Sequence, residues 1–210
     1  MQRQEVNNAR RFEMLNVTSL VIGFVGLLLL SSVCAGTPNK SERPWSIFAY
    51  GGKWSDNRVG EITRLQTENR SSYIWATGIS REIHRFNDNL LMETEFVLAR
   101  HSGLQENWEC NAAVNLRWET FPWDDYVNST FSYGLGFSYA FGDPVIEEED
   151  DQHTHRLLFS MPIELTLAPP AKYDPSWDFF IRIHHRSGGY GIIADNQGSN
   201  FLTSGLRYHF

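Results

Sequence analysis

The chain has 210 residues, 41% of them hydrophobic and 14% aromatic, with a formal net charge of −7. So many aromatic side chains exclude a disordered polymer, and a sequence pI of about 5.5 excludes a generally basic nucleic-acid binder. The negative mean hydropathy excludes a polytopic helical membrane protein, but not a membrane β-barrel, whose polar lumen and loops dilute the apolar signal.

Residues 20–30 form an unbroken apolar run, preceded by Arg10 and Arg11 and followed by Ser31, Ser32, Val33, Cys34 and Ala35. Charged, apolar and small stretches in that order make a secretory signal peptide over 1–35. The competing expectation is a retained anchor, with the run stretched back to Val17 to approach a spanning length. Removal of 1–35 takes Cys34 with it, leaves Cys110 alone and excludes an intramolecular disulfide.

From residue 36 onward, period-2 alternation replaces any helical period. Over 131–141, large apolar residues alternate with Gly, Ser or Ala. Leu157, Phe159, Met161, Ile163, Leu165 and Leu167 continue the pattern, as do Leu90, Met92, Thr94, Phe96 and Leu98, and then Ala112, Val114, Leu116 and Trp118. Weaker runs bring the expected strands to 45–52, 72–84, 89–101, 108–120, 130–142, 154–168, 176–187 and 199–210. Most reach the roughly 9–11 residues a tilted strand needs to cross a bilayer.

The alternation would also suit a soluble sandwich or barrel; three features favour an all-β, eight-stranded antiparallel transmembrane barrel over 36–210. Charged alternates of both signs (Glu93, Glu95, Arg117, Glu164, Arg182, Arg207) are expected to pair inside a narrow lumen while the apolar face meets lipid. Trp45, Trp54, Trp108, Trp118 and Trp177 fall near strand ends, as aromatic girdles require. The chain ends Leu206-Arg207-Tyr208-His209-Phe210, resembling the C-terminal signature of outer-membrane barrels. With both ends periplasmic, the links after the first, third, fifth and seventh strands face outward. One of these carries the acidic run 147–151, read as a solvated loop, with a weak metal signal at His153 and His155.

The chemistry-bearing stretch is the seventh strand together with the glycines after it. Alternation puts Phe179, Ile181, Ile183, His185 and Ser187 on the lipid face, and Arg182, His184 and Arg186 on the lumen face. A serine hydroxyl needs a base to become a nucleophile, and histidine titrates near neutrality. A third group should orient the imidazole from the adjacent strand. Counting back from Phe210 through Tyr208, Leu206, Ser204 and Leu202 makes Asn200 outward-facing, with Asp195 in reserve. The backbone N–H groups of Gly188 and Gly189 could converge on an oxyanion, or these glycines could simply open the loop. On the residues alone, a His and a Ser could also be a polar rim at the lipid boundary.

The His185-Arg186-Ser187 sequence, followed by glycines on the penultimate strand of a small barrel, resembles the PagL family of lipid A 3-O-deacylases. Over about the last thirty residues the resemblance implies that Ser187 is the nucleophile and His185 its general base, on a lipid-facing surface. The family's acidic third member aligns with Asn200, an amide where the family has glutamate. After the serine, the family's Asn-Ala-Gly is Gly188-Gly189-Tyr190 here. The implied activity is a serine esterase of the outer membrane that removes the 3-position hydroxyacyl chain of lipid A, as a monomer or homodimer, without metal or organic cofactor. The alternative is a non-catalytic barrel for adhesion, envelope stability or lipopolysaccharide binding.

Overall fold

The computed structural model describes residues 43–55, 69–147, 155–173, 175–194 and 198–210. The expected signal peptide, Cys34, the acidic positions 148–151, His153 and Asp195 lie outside the described residues.

Among the described residues, alternation becomes nine strand segments: β1 (Trp45–Ser55), β2 (Asn69–Asn87), β3 (Leu90–Gly103), β4 (Trp108–Trp118), β5 (Asn128–Phe141), β6 (Leu157–Ser160), β7 (Ile163–Ala168), β8 (Trp177–Ser187) and β9 (Gly198–His209). All pairings are antiparallel, and β1 meets β9 from Ser46 opposite His209 to Ser55 opposite Asn200, closing a ring of eight staves. β6 and β7 are one stave interrupted at Met161 and Pro162. The register to β8 is unchanged across the gap, with Phe159 opposite Ser187 and Ile163 opposite Ile183. Proline has no N–H to give the ladder. Its carbonyl still accepts the Gly134 N–H at 2.8 Å, and the Met161 N–H still reaches the His185 carbonyl at 2.9 Å.

Two strands outrun their expected ends. β1 continues to Ser55 rather than stopping at Gly52, and β2 spans 19 residues. Gly52 is a ladder position and not a turn: a Cβ there would lie 2.1 Å from the Leu202 carbonyl oxygen.

An eight-stranded interior is just wide enough to be filled by side chains, and this one is filled by paired charge. Burying an ion is costly unless it is paired and hydrogen-bonded. Glu164 meets Arg117 at 2.9 Å and both Arg182 and Arg207 at 2.7 Å. Glu95 holds Arg182 at 2.9 Å, and Glu93 holds Arg117 at 2.6 Å. The guanidiniums of Arg182 and Arg207 lie over the rings of Phe48 and Phe180, which belong with Tyr50, Ile74 and Phe201 to the lumenal apolar cluster. Nearer the rim opposite the chain terminus, Glu109 bridges His101 at 2.7 Å and His184 at 2.8 Å. His184 in turn meets the Tyr50 hydroxyl at 2.8 Å.

The outer wall is apolar. Ile47, Trp75, Ile79, Phe96, Leu116, Leu135, Phe137 and Ile181 are all exposed, a continuous belt too large for a water-facing surface and suited to hydrocarbon. Trp108, Trp118 and Trp177 are exposed at strand ends, as girdle positions should be. Trp54 is not: it is half-buried and packs against the lumenal cluster, because its place in β1 shares the inward parity of Phe48 and Tyr50.

A second expectation also needs correcting. Glu147, read as the start of a solvated acidic loop, is buried at the end of a 3-10 turn, Val145–Glu147. The physical reason lies on β8. Arg186 points into the lumen and is fully buried, so it requires a counter-charge, and Glu147 supplies it at 2.8 Å. Ile146 beside it packs against the lumenal apolar cluster.

Candidate active site on the outer wall

The strand period decides where the β8 side chains go. Phe180, Arg182, His184 and Arg186 are buried in the lumen, whereas Phe179 and Ile181 are exposed on the outside, and His185 and Ser187 continue that outer row half-buried. On β9, Ser199, Phe201, Thr203 and Arg207 are buried, leaving Asn200, Leu202, Ser204 and Leu206 on the outer wall.

The ladder then brings the expected residues together. His185 is directly opposite Asn200, and Ser187 is opposite Gly198 on one side and Phe159 on the other. Asn200 faces the imidazole across this pair, although Nδ1 of His185 meets no hydrogen-bond partner among the described residues. His185 and Ser187 lie two residues apart on one face, a spacing of about 6.6 Å along a strand. The Ser187 Oγ is turned toward the loop, where it accepts the Gly189 N–H at 3.1 Å. As an acceptor there the hydroxyl keeps its proton to donate, but among the described residues His185 Nδ1 does not receive it.

The glycines build a tight loop. The Gly188 carbonyl accepts the N–H groups of Ile193 (2.9 Å) and Ala194 (3.2 Å), and the Gly189 carbonyl accepts that of Ile192 at 3.2 Å. Gly189 has φ +70°, and a Cβ there would meet the Phe159 ring at 2.6 Å. Left-handed backbone in close contact with a neighbour calls for glycine. The turn aims the Gly189 N–H at the serine oxygen, so in this arrangement that N–H is engaged by the hydroxyl.

His184 faces the lumen with Tyr50 and Glu109, a structural position. Among the described residues, no group of three or more His, Cys, Asp or Glu side chains is disposed to hold a metal ion. Two residues next to the candidate site were not singled out from the sequence. Phe159 walls the serine from β6, and Glu147 lies behind it in the lumen. Parity could have found Phe159; an acidic residue inside an acidic run gave no signal of burial.

No protein-family model matches the chain, and no curated protein matches it in sequence. Solved structures do resemble it. The outer-membrane enzyme PagL aligns with a TM-score of 0.52 and 14% identity, over 78% of this chain and 98% of that one. The N-terminal barrel domain of Pseudomonas aeruginosa OprF aligns at 0.47 and 9% identity, over 81% of this chain and all of that domain. Yersinia pestis Ail aligns at 0.40 and 14% identity, over 80% of this chain and 99% of that one. The first likeness shows the fold: this chain is an eight-stranded β-barrel of the outer-membrane type. At such identity it says nothing of chemistry.

Proposed function

We propose that the chain is an outer-membrane carboxylic ester hydrolase that removes the 3-position hydroxyacyl chain of lipid A, with Ser187 as nucleophile, His185 as general base and Asn200 as the group orienting the imidazole. The observation that carries this reading is the common outward face of His185 and Ser187 at the rim opposite the chain terminus, with Asn200 across the ladder from the imidazole. A membrane lipid reaches such a site by lateral diffusion, with its ester near the interface and its acyl chains along the apolar wall.

His185 takes the Ser187 hydroxyl proton as Oγ attacks the ester carbonyl carbon. The oxyanion draws on the Gly188 and Gly189 N–H groups, for which the serine side chain must leave its bond to Gly189. The carbonyl–sugar C–O bond then breaks, and the imidazolium gives its proton to the departing sugar oxygen. Water attacks the acyl-enzyme, His185 takes its proton and returns it to Ser187 Oγ, and a free hydroxy fatty acid leaves. Every catalytic group in this sequence comes from the chain, the only other reactant being water, and none of its steps calls for a metal or an organic cofactor.

Two features favour a second reading, a non-catalytic barrel for adhesion, envelope stability or lipopolysaccharide binding: the amide in place of a carboxylate at position 200, and the serine hydroxyl turned toward Gly189. One experiment separates the two. Purified protein in detergent is mixed with lipopolysaccharide, and released hydroxy fatty acid is quantified, with acylated phospholipid as a parallel substrate. Release that stops in Ser187→Ala supports the esterase. Release from phospholipid alone supports an esterase of different substrate. No release from correctly folded protein favours the second reading.

A further inference from the structure

The two inward residues behind the candidate site form a pair of their own. Arg186 lies between His185 and Ser187 in β8, Ser199 immediately precedes Asn200 in β9, and the two stand directly opposite one another across the ladder. Both side chains are buried in the lumen. One atom joins them: Glu147 Oε1 accepts from Arg186 Nη1 at 2.8 Å and from Ser199 Oγ at 2.6 Å. Arg186 Nη2 also donates to the Arg156 carbonyl at 2.9 Å. Among the described residues, the nearest other acid contact to this guanidinium, Glu109, is 3.8 Å away.

We infer that Glu147 is a positioning residue, clamping Arg186 and Ser199 from inside the barrel and thereby fixing the separation of His185, Ser187 and Asn200 on its outer face. The inference rests on the ester-hydrolase reading for its functional consequence. Its physical basis is local. The β8–β9 ladder ends one pair beyond the clamp, at Ser187 opposite Gly198. The last pairs of a hairpin are the first to open, yet nucleophile, base and orienter all sit there. A strand is stiff across three residues, so holding the inward side chain of Arg186 holds the outward side chains on either side of it. Releasing the clamp also leaves a buried guanidinium N–H and the Ser199 hydroxyl without their shared acceptor, which loosens the ladder further.

The clamp predicts that Glu147→Ala lowers kcat on lipopolysaccharide by about ten- to a hundredfold while KM changes less than twofold. Glu147→Gln, whose amide oxygen still accepts from both partners, should retain most of the wild-type kcat. Barrel formation is scored by heat-modifiable mobility on a gel, so a folding loss is separated from a positioning loss. Should Glu147→Ala not insert, Ser199→Ala reads the same clamp from its other arm, with a smaller fall in kcat. Amide hydrogen exchange measures it without substrate: 185–187 and 198–200 should exchange at least tenfold faster in Glu147→Ala, with β3 and β4 unchanged. Unchanged exchange at these residues, or a wild-type kcat in inserted Glu147→Ala, overturns the clamp. A wild-type protein that hydrolyses nothing strikes the functional proposal alone, because exchange still reads the clamp.

Discussion

His185 stands directly across the β8–β9 ladder from Asn200, and both side chains leave the barrel wall on its outer face. This pairing puts a polar amide beside a base at a surface otherwise built for hydrocarbon. It also makes position 200 the most informative site for substitution. An amide can orient an imidazole but offers no charge to stabilise the imidazolium, and exchanging carboxylate for amide costs about four orders of magnitude in the serine-protease template. Asn200→Glu should therefore raise kcat, and Asn200→Ala should lower it by about tenfold or more. Steady-state release of fatty acid from lipopolysaccharide measures both. A rise in Asn200→Ala would remove Asn200 from the site.

Ser187→Ala and His185→Ala should each lose at least about 10³-fold in kcat/KM, and the double variant should lose little more than either single one, because a nucleophile and its base act as a unit. Additive losses in the double variant would contradict a shared step. Neither change touches the lumen, so the barrel should form as in the wild type.

Gly189→Ala places a Cβ in left-handed backbone, costing about 1–2 kcal/mol, and drives it against the Phe159 ring. The loop over 188–194 should shift, activity should fall, and barrel stability should fall by no more than about that 1–2 kcal/mol. Adding Phe159→Leu should recover part of the loss by removing the contact, which the double-variant kcat reads.

Glu164 is the hub of the lumen, ion-paired to Arg117, Arg182 and Arg207. Glu164→Gln leaves three buried guanidiniums short of charge and should destabilise the barrel by about 3–5 kcal/mol. Urea unfolding in lipid vesicles, followed by tryptophan fluorescence, gives the value. Leu135 lies mid-strand on the outer face of the wall, 54% exposed. Leu135→Arg should cost about 2–4 kcal/mol if that surface faces the bilayer midplane. Near-zero cost in the same assay would mean that this surface faces water.

Most of the fold was legible because a strand's period is two, and the register shifts that break it lie near strand ends, at Lys53–Ser55 in β1 and beyond Glu82 in β2. The inward parity of Glu93, Glu95, Arg117, Glu164, Arg182 and Arg207 followed from their outward apolar neighbours, and the structure pairs them in the lumen. The same count placed Asn200 on the outer wall from the far end of the chain. What parity could not supply was depth and partner. Trp54 read as a girdle residue from its nearness to a strand end, yet its side chain points inward. Glu147 read as solvated because four acidic neighbours follow it; only the buried Arg186 gives it a reason to turn in. The break at Pro162 was invisible in the hydrophobic pattern because its register is preserved on both sides. The direction of the Ser187 hydroxyl depends on a loop geometry that no alternation encodes.

The most direct measurement is mass spectrometry of lipid A from a Gram-negative host expressing the chain, alongside hosts expressing Ser187→Ala and His185→Ala. The account predicts lipid A lighter by one hydroxyacyl chain with the wild type only. Lipid A of unchanged mass, with the wild-type barrel correctly inserted, would contradict it.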